Sequence, residues 1–158
     1  MLVYNKDNDI GTLRKGAINL VKCITGRKGS GKTKKMLHMA NEKVDSGSGS
    51  IVFIDKDHSL MYDLKYQIRV VCMEEFDQIT NIDEYIGFLY GIISSDHDIE
   101  VIFIDGILRL KDVTVSDFQE FLPRLKAISE QHELDFVVSI SADLEELGSA
   151  VEGCELID

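Results

Sequence analysis

At 158 residues, with 44% hydrophobic and 28% charged residues, the chain has the size and composition of a single globular domain spanning 1–158. That length buries about two-thirds of the unfolded surface without covalent staples. A formal net charge of −11 weighs against nonspecific attachment to nucleic acid or to an anionic membrane, since both rest on Lys and Arg neutralising phosphates. Cys23, Cys72 and Cys154 are odd in number and show no C-x-x-C spacing, so neither a disulfide framework nor a zinc site is suggested, and buried thiols in a reducing compartment are expected. Met1 to Asp7 carry no apolar signal region and no apolar run nears membrane-span length, which leads to the expectation of a cytoplasmic protein with no membrane partner.

Along the chain, short β-branched runs alternate with helical patterns. Residues Asn19 to Ile24 read as a strand, followed by a glycine-rich stretch and then by Lys32 to about Val44. In that segment Met36, Leu37, Ala40 and Val44 recur at helical spacing, and Gly47 closes it. Ser46 to Ser50 alternate Ser and Gly and are too few to be more than a turn. Ile51 to Asp55 form a second strand, a short polar and helical segment follows, and Ile68 to Cys72 form a third.

Asn81-x-x-Glu84 predicts a capping box opening a helix with Ile82, Tyr85, Ile86, Leu89 and Ile93 on one face. Val101 to Asp105 is the fourth strand. Ser116-x-x-Gln119 predicts another cap, with Phe118, Phe121, Leu122, Leu125 and Ile128 turned inward and Pro123 either kinking that helix or starting it. Phe136 to Ile140 is the fifth strand, Asp143 to Leu147 a short helix, and Cys154 to Ile157 a small last strand. Continuous apolar strands alternating with helices imply an α/β three-layer sandwich around a mostly parallel sheet.

The segment Gly26-Arg27-Lys28-Gly29-Ser30-Gly31-Lys32-Thr33 fits G-x-x-x-x-G-K-[ST]. Its glycines let backbone N–H groups curl round an anion, and the helix that follows adds its dipole. In this pattern Lys32 reaches the β- and γ-phosphates and the Thr33 hydroxyl becomes a magnesium ligand. Average composition would produce such a match by chance about once in two hundred chains of this length, and here it also lies between a strand and a helix. ATP with Mg2+ is therefore the expected ligand. No downstream N-K-x-D is present, which favours ATP over GTP, and Asn5-Lys6-Asp7 lacks the spacing of a guanine motif.

Asp55 and Asp105 each follow four apolar strand residues, which puts them on the ligand-binding edge of a parallel sheet. Asp105 is the favoured magnesium partner of Thr33, with Asp55 the alternative. Hydrolysis also requires a group that activates water. Asp57 in Asp55-Lys56-Asp57-His58 is the candidate base, Asp55 the runner-up, and His58 reads as a surface or hydrogen-bonded histidine. Arg27, Arg69, Arg109 and Arg124 are the arginines available to phosphate, with Arg109 nearest the magnesium strand.

Ser50-Ile51-Val52-Phe53-Ile54-Asp55-Lys56-Asp57-His58-Ser59-Leu60 resembles the second core strand of RecA-type ATPases, whose I-D-x-E-H-x-L run supplies the Glu that activates water. The resemblance covers about residues 18 to 157 and implies that Asp57 stands in the place of that Glu. It implies a P-loop NTPase fold of the RecA-like type. Three features depart from it: Gly106 follows the magnesium Asp where many such ATPases have Glu, Ser141-Ala142 replace a γ-phosphate-sensing Gln, and no DNA-binding loops have room. The expectation is an ATP-binding protein with slow Mg-dependent ATPase activity, not bound to nucleic acid, acting with a protein partner or as a homo-oligomer. The alternatives are a non-hydrolysing regulatory or scaffold module and a small-molecule or nucleotide kinase.

Overall fold

The computed structural model describes residues 20–47 and 49–157. Met1 to Asp7 and Asn19, which entered the expectations above, lie outside the described residues, as does Ser48. Six strands are present: β1 (Val21–Thr25), β2 (Ser50–Asp55), β3 (Arg69–Cys72), β4 (Ile99–Ile104), β5 (Asp135–Ile140) and β6 (Glu155–Ile157). The helices are α1 (Lys32–Ser46), α2 (Ile82–Ser95), α3 (Phe118–His132) and the single turn α4 (Leu144–Leu147). Every strand pair is parallel, in the order β3-β2-β4-β5-β1-β6. Among the described residues no helix is long and apolar enough to cross a membrane.

The strand pleat divides the core into two layers. Ile24, Phe53, Phe103 and Val137 point to one face, where they pack with Met36 and Ala40 of α1 and with Leu64 and Ile68. Cys23, Ile54, Ile104 and Val138 point to the other, where they meet Leu89 of α2, Leu125 of α3 and Leu147 of α4. Helices on both faces explain why the strands are apolar throughout instead of alternating. Phe53 and Phe103, neighbours across β2 and β4, stack with centroids 5.6 Å apart.

This division fixes where a ligand can bind. The chain moves from β1 to β2 and from β2 to β3 over the α1 face, then returns from β3 through β4 and β5 over the opposite face. Adjacent strands β1 and β5 therefore send their connections to opposite sides. A crevice opens at their carboxyl ends, the switch point where open α/β sheets hold ligands.

Two local expectations are corrected. The polar segment after β2 contains only a 3-10 turn, Met61–Asp63, because Asn41 of α1 clamps it: its amide donates to the Asp63 carbonyl (2.9 Å) and its oxygen accepts from Lys65 N (2.9 Å). The cap before α3 is Thr114 with Asp117, not Ser116 with Gln119; Asp117 Oδ2 accepts from Thr114 N at 2.7 Å. That box opens a 3-10 turn, Val115–Asp117, which runs directly into α3. Pro123 lies inside α3 and is exposed, so the bond it forgoes, to the Gln119 carbonyl, lies on the solvent side.

Candidate functional site

Residues 26–31 join β1 to α1, and Gly26, Gly29 and Gly31 have φ of 145°, 86° and 93°. A Cβ on Gly26 would sit 2.7 Å from Ser30 Oγ, and Ser30 N closes the turn on Arg27 O at 3.1 Å. Gly31, as N-cap of α1, has no side chain to offer, and no side-chain cap bond is made. The first turn contains no acidic residue and instead carries Lys32, Lys34 and Lys35. The helix thus presents unsatisfied N–H groups and a positive dipole end beside lysine charge.

Lys32 is buried, and its Nζ donates to the loop's own carbonyls, Gly26 O at 3.0 Å and Arg27 O at 2.8 Å, with Ser30 Oγ at 3.5 Å. Burial holds the amine below its ordinary pKa, while the charge on Asp105 opposes that and Arg109 adds to it.

Asp105 follows β4 and is buried. Its Oδ2 accepts from Thr33 Oγ1 at 3.0 Å, and its Oδ1 accepts a short bond from Ser139 Oγ on β5. Gly106 N in turn donates to Ser139 Oγ at 3.3 Å. Three elements, α1, β4 and β5, so meet in one chain of bonds. Ser139 escaped the sequence reading; the signal was a lone hydroxyl inside the apolar run Phe136 to Ile140, where burial demands a polar partner.

Asp55 ends β2 and is 2% exposed. Its Oδ1 accepts from Lys56 N at 2.8 Å, whereas Oδ2 is buried without a hydrogen-bond partner among the described residues. Burial pushes its pKa up to about 6; the Lys56 amide opposes this, the charges of Asp105 and Asp57 add to it, and Arg109 again opposes. The Thr33 hydroxyl and the Asp105 carboxylate, in hydrogen-bond contact, are oxygen donors of the kind that suits a hard divalent cation such as magnesium, and the orphaned Asp55 oxygen lies at the end of the neighbouring strand.

Asp57 is placed differently. Its Oδ1 accepts from Ser59 N at 2.9 Å and its Oδ2 lies 3.5 Å from Lys56 Nζ. The bonds from Ser59 hold its carboxyl below the usual range, and Lys56 contributes less. Among the described residues no hydrogen bond joins Asp57 to Lys32, Thr33 or Asp105. His58 is exposed and hydrogen-bonds with Cys72, as expected of a surface histidine.

Of the arginines, Arg109 is drawn to the site. Gly106 has φ 79°, and a Cβ there would come within 3.1 Å of the Arg109 side chain, so glycine allows that guanidinium to fold over the end of β4. Arg27 faces Asp143 at 3.8 Å. Arg69 reaches Ser95 Oγ at 3.3 Å and Arg124 reaches Asp83 at 2.5 Å, both committed elsewhere.

A cavity of about 400 Å³ lies over the loop, lined in part by Gly29, Lys32, Thr33, Asp105, Ser139 and Ser141. A second, of about 330 Å³, shares Asp105, Gly106 and Arg109 with it and extends to Met73, Ile79 and Tyr85. Both fall within the range of small-ligand sites. No model of a known protein family matches the chain, and a search of curated proteins found no match to it.

Proposed function

We propose that this chain is a RecA-like P-loop protein that binds ATP with Mg2+ through residues 26–33 and hydrolyses it slowly. One observation carries the reading: an uncapped, lysine-bearing helix N-terminus behind glycines of positive φ, with the Lys32 ammonium resting on the loop's own carbonyls. Phosphate oxygens would replace those carbonyls and satisfy the free N–H groups. The element order also follows what the RecA resemblance implies: strand, loop and helix, two strands, helix, the strand before Asp105, helix, strand.

Magnesium, when bound, neutralises phosphate charge; Thr33 and Asp105 would hold it. The chain's own residues do the rest. Lys32 binds the β- and γ-phosphates, the loop amides fix their orientation, and Arg109 adds charge at the Asp105 end of the cavity. For the water-activating role, the placement favours Asp55 over Asp57. A buried carboxylate with a pKa of about 6 and a free oxygen suits proton acceptance near neutrality, whereas Asp57 is engaged with Ser59. The replacement of the usual Glu by Gly106 fits slow turnover.

Titration with a fluorescent ATP analogue, with and without magnesium, tests the binding. Magnesium-dependent saturation that Lys32→Ala weakens supports the reading; no binding, or binding indifferent to Lys32→Ala, overturns it. Phosphate release then separates an ATPase from a non-hydrolysing regulatory module. A second reading, phosphoryl transfer to a small molecule or nucleotide, is favoured by the second cavity that shares Asp105, Gly106 and Arg109. Label moving from γ-labelled ATP to an acceptor in a panel of nucleosides and nucleotides would establish it.

A further inference from the structure

Three side chains of metal-binding type converge where β2 and β3 leave the sheet, away from the glycine loop. Cys72 ends β3, His58 lies three residues beyond β2, and Glu75 stands in the 3-10 turn Met73–Phe76. One donor atom from each lies within 4.8 Å of the other two. His58 Nδ1 is 3.0 Å from Cys72 Sγ, and His58 Nε2 is 3.7 Å from Glu75 Oε2. We propose that His58, Cys72 and Glu75 form a binding site for a zinc-class divalent cation.

The framework around the cluster is fixed by backbone. Asp55 and Cys72 are register partners across β2 and β3, and Glu74 N donates to Lys56 O at 2.9 Å. The two segments that carry the donors are thereby tied together just before and just after the sheet ends. Cys72 is 2% exposed, while His58 and Glu75 are exposed, so a buried thiol forms the base of the site and a cation enters from solvent. One imidazole nitrogen already lies within 4.8 Å of both the sulfur and a carboxylate oxygen. Sulfur, nitrogen and oxygen donors together select zinc over magnesium or calcium, which take oxygen alone. Three protein ligands leave a fourth tetrahedral position to water.

Further carboxylates flank the cluster, with Glu74 next to Glu75 in the turn after β3 and Asp57 next to His58, and their negative charge favours a cation there. Sequence spacing gave no hint because the donors lie at and beyond the ends of two different strands, with His58 and Cys72 fourteen residues apart. The inference is independent of the nucleotide reading.

Cobalt(II) is titrated into the full chain after chelator treatment, under a non-coordinating reductant, and zinc is then added in competition. The expected result is one equivalent of cobalt with a thiolate charge-transfer band and tetrahedral d–d bands, both erased by zinc. Cys72→Ser removes the charge-transfer band, His58→Ala and Glu75→Gln each weaken binding tenfold or more, and Cys154→Ser changes nothing. His58 and Glu75 are exposed, so those two variants keep the test intact if Cys72→Ser fails to fold. Absence of the thiolate band overturns the proposal, as does undiminished affinity in folded His58→Ala.

Discussion

At the start of α2, Asn81 Oδ1 accepts from Glu84 N at 2.9 Å, Glu84 reaches back to Thr80 N at 2.9 Å, and Asp83 and Glu84 bring negative charge to the first turn. At the start of α1 there is no side-chain cap, no acid, and lysine at three of the first four positions. Capping and dipole complementarity each contribute about 1 kcal/mol. The α2 start follows both rules and the α1 start breaks both. α4 is acid-capped through Asp143 and Glu146, and the turn before α3 through Thr114 and Asp117. A local conflict of this kind, inside a fold otherwise consistent across its levels, marks a place selected for something other than stability. An anion at α1 would supply the missing cap and the missing negative charge together.

Changes at the two helix starts, and at the carboxylate beside the first, break or sharpen that contrast. The largest effect is expected at Asp55. An unfolded Asp titrates near 3.8 and the folded one at about 6, so between these values the folded chain holds more protons and stability falls as pH rises. At about 1.4 kcal/mol per pH unit the loss reaches about 3 kcal/mol above pH 7. Thermal or urea melts should therefore show Asp55→Asn equal to the parent near pH 4 and more stable by about that amount at pH 8. A pH-independent difference would mean that the carboxylate is not strained.

Next comes Lys32→Ala, expected to weaken ATP binding about 100-fold, or about 2.7 kcal/mol, with α2 and the fold untouched by circular dichroism. Asn81→Ala should do the reverse: a loss of about 1 kcal/mol in denaturant stability with ATP affinity unchanged. The smallest effect is expected for Lys34→Glu, which places an acid in the bare first turn of α1. It should stabilise the ligand-free chain by about 0.5 kcal/mol while weakening ATP binding, and a calorimetric titration beside the melts reads both. If it destabilised the ligand-free chain, the first turn of α1 would not be electrostatically frustrated.

Much of the fold was legible in the residues. The β-branched runs Ile51 to Asp55 and Val101 to Asp105 read as buried strands and fall in β2 and β4, with Asp105 just past the end of β4, and the α2 stripe of Ile82, Tyr85, Ile86, Leu89 and Ile93 is buried as its spacing predicted. What escaped depended on partners distant in sequence. The segment after β2 is shaped by Asn41 of α1, and no local pattern encodes that clamp. At the candidate site, the loop, Thr33 and Asp105 were named from the chain and are brought together by Thr33 Oγ1 bonding Asp105. Ser139 was not, because it acts only once β5 lies beside β4. The contrast between Asp55 and Asp57, two residues apart, is likewise one of burial and hydrogen bonding that spacing cannot reveal.

The most direct measurement is amide hydrogen exchange on the full chain with and without ATP and magnesium. Protection should rise at residues 29–35, where no side chain caps the start of α1, and stay unchanged at residues 81–85, where Asn81 already caps α2. Lys32→Ala should abolish the rise. No change at residues 29–35 at saturating ATP, or an equal change at both helix starts, would contradict the assignment of the α1 N-terminus as a phosphate site.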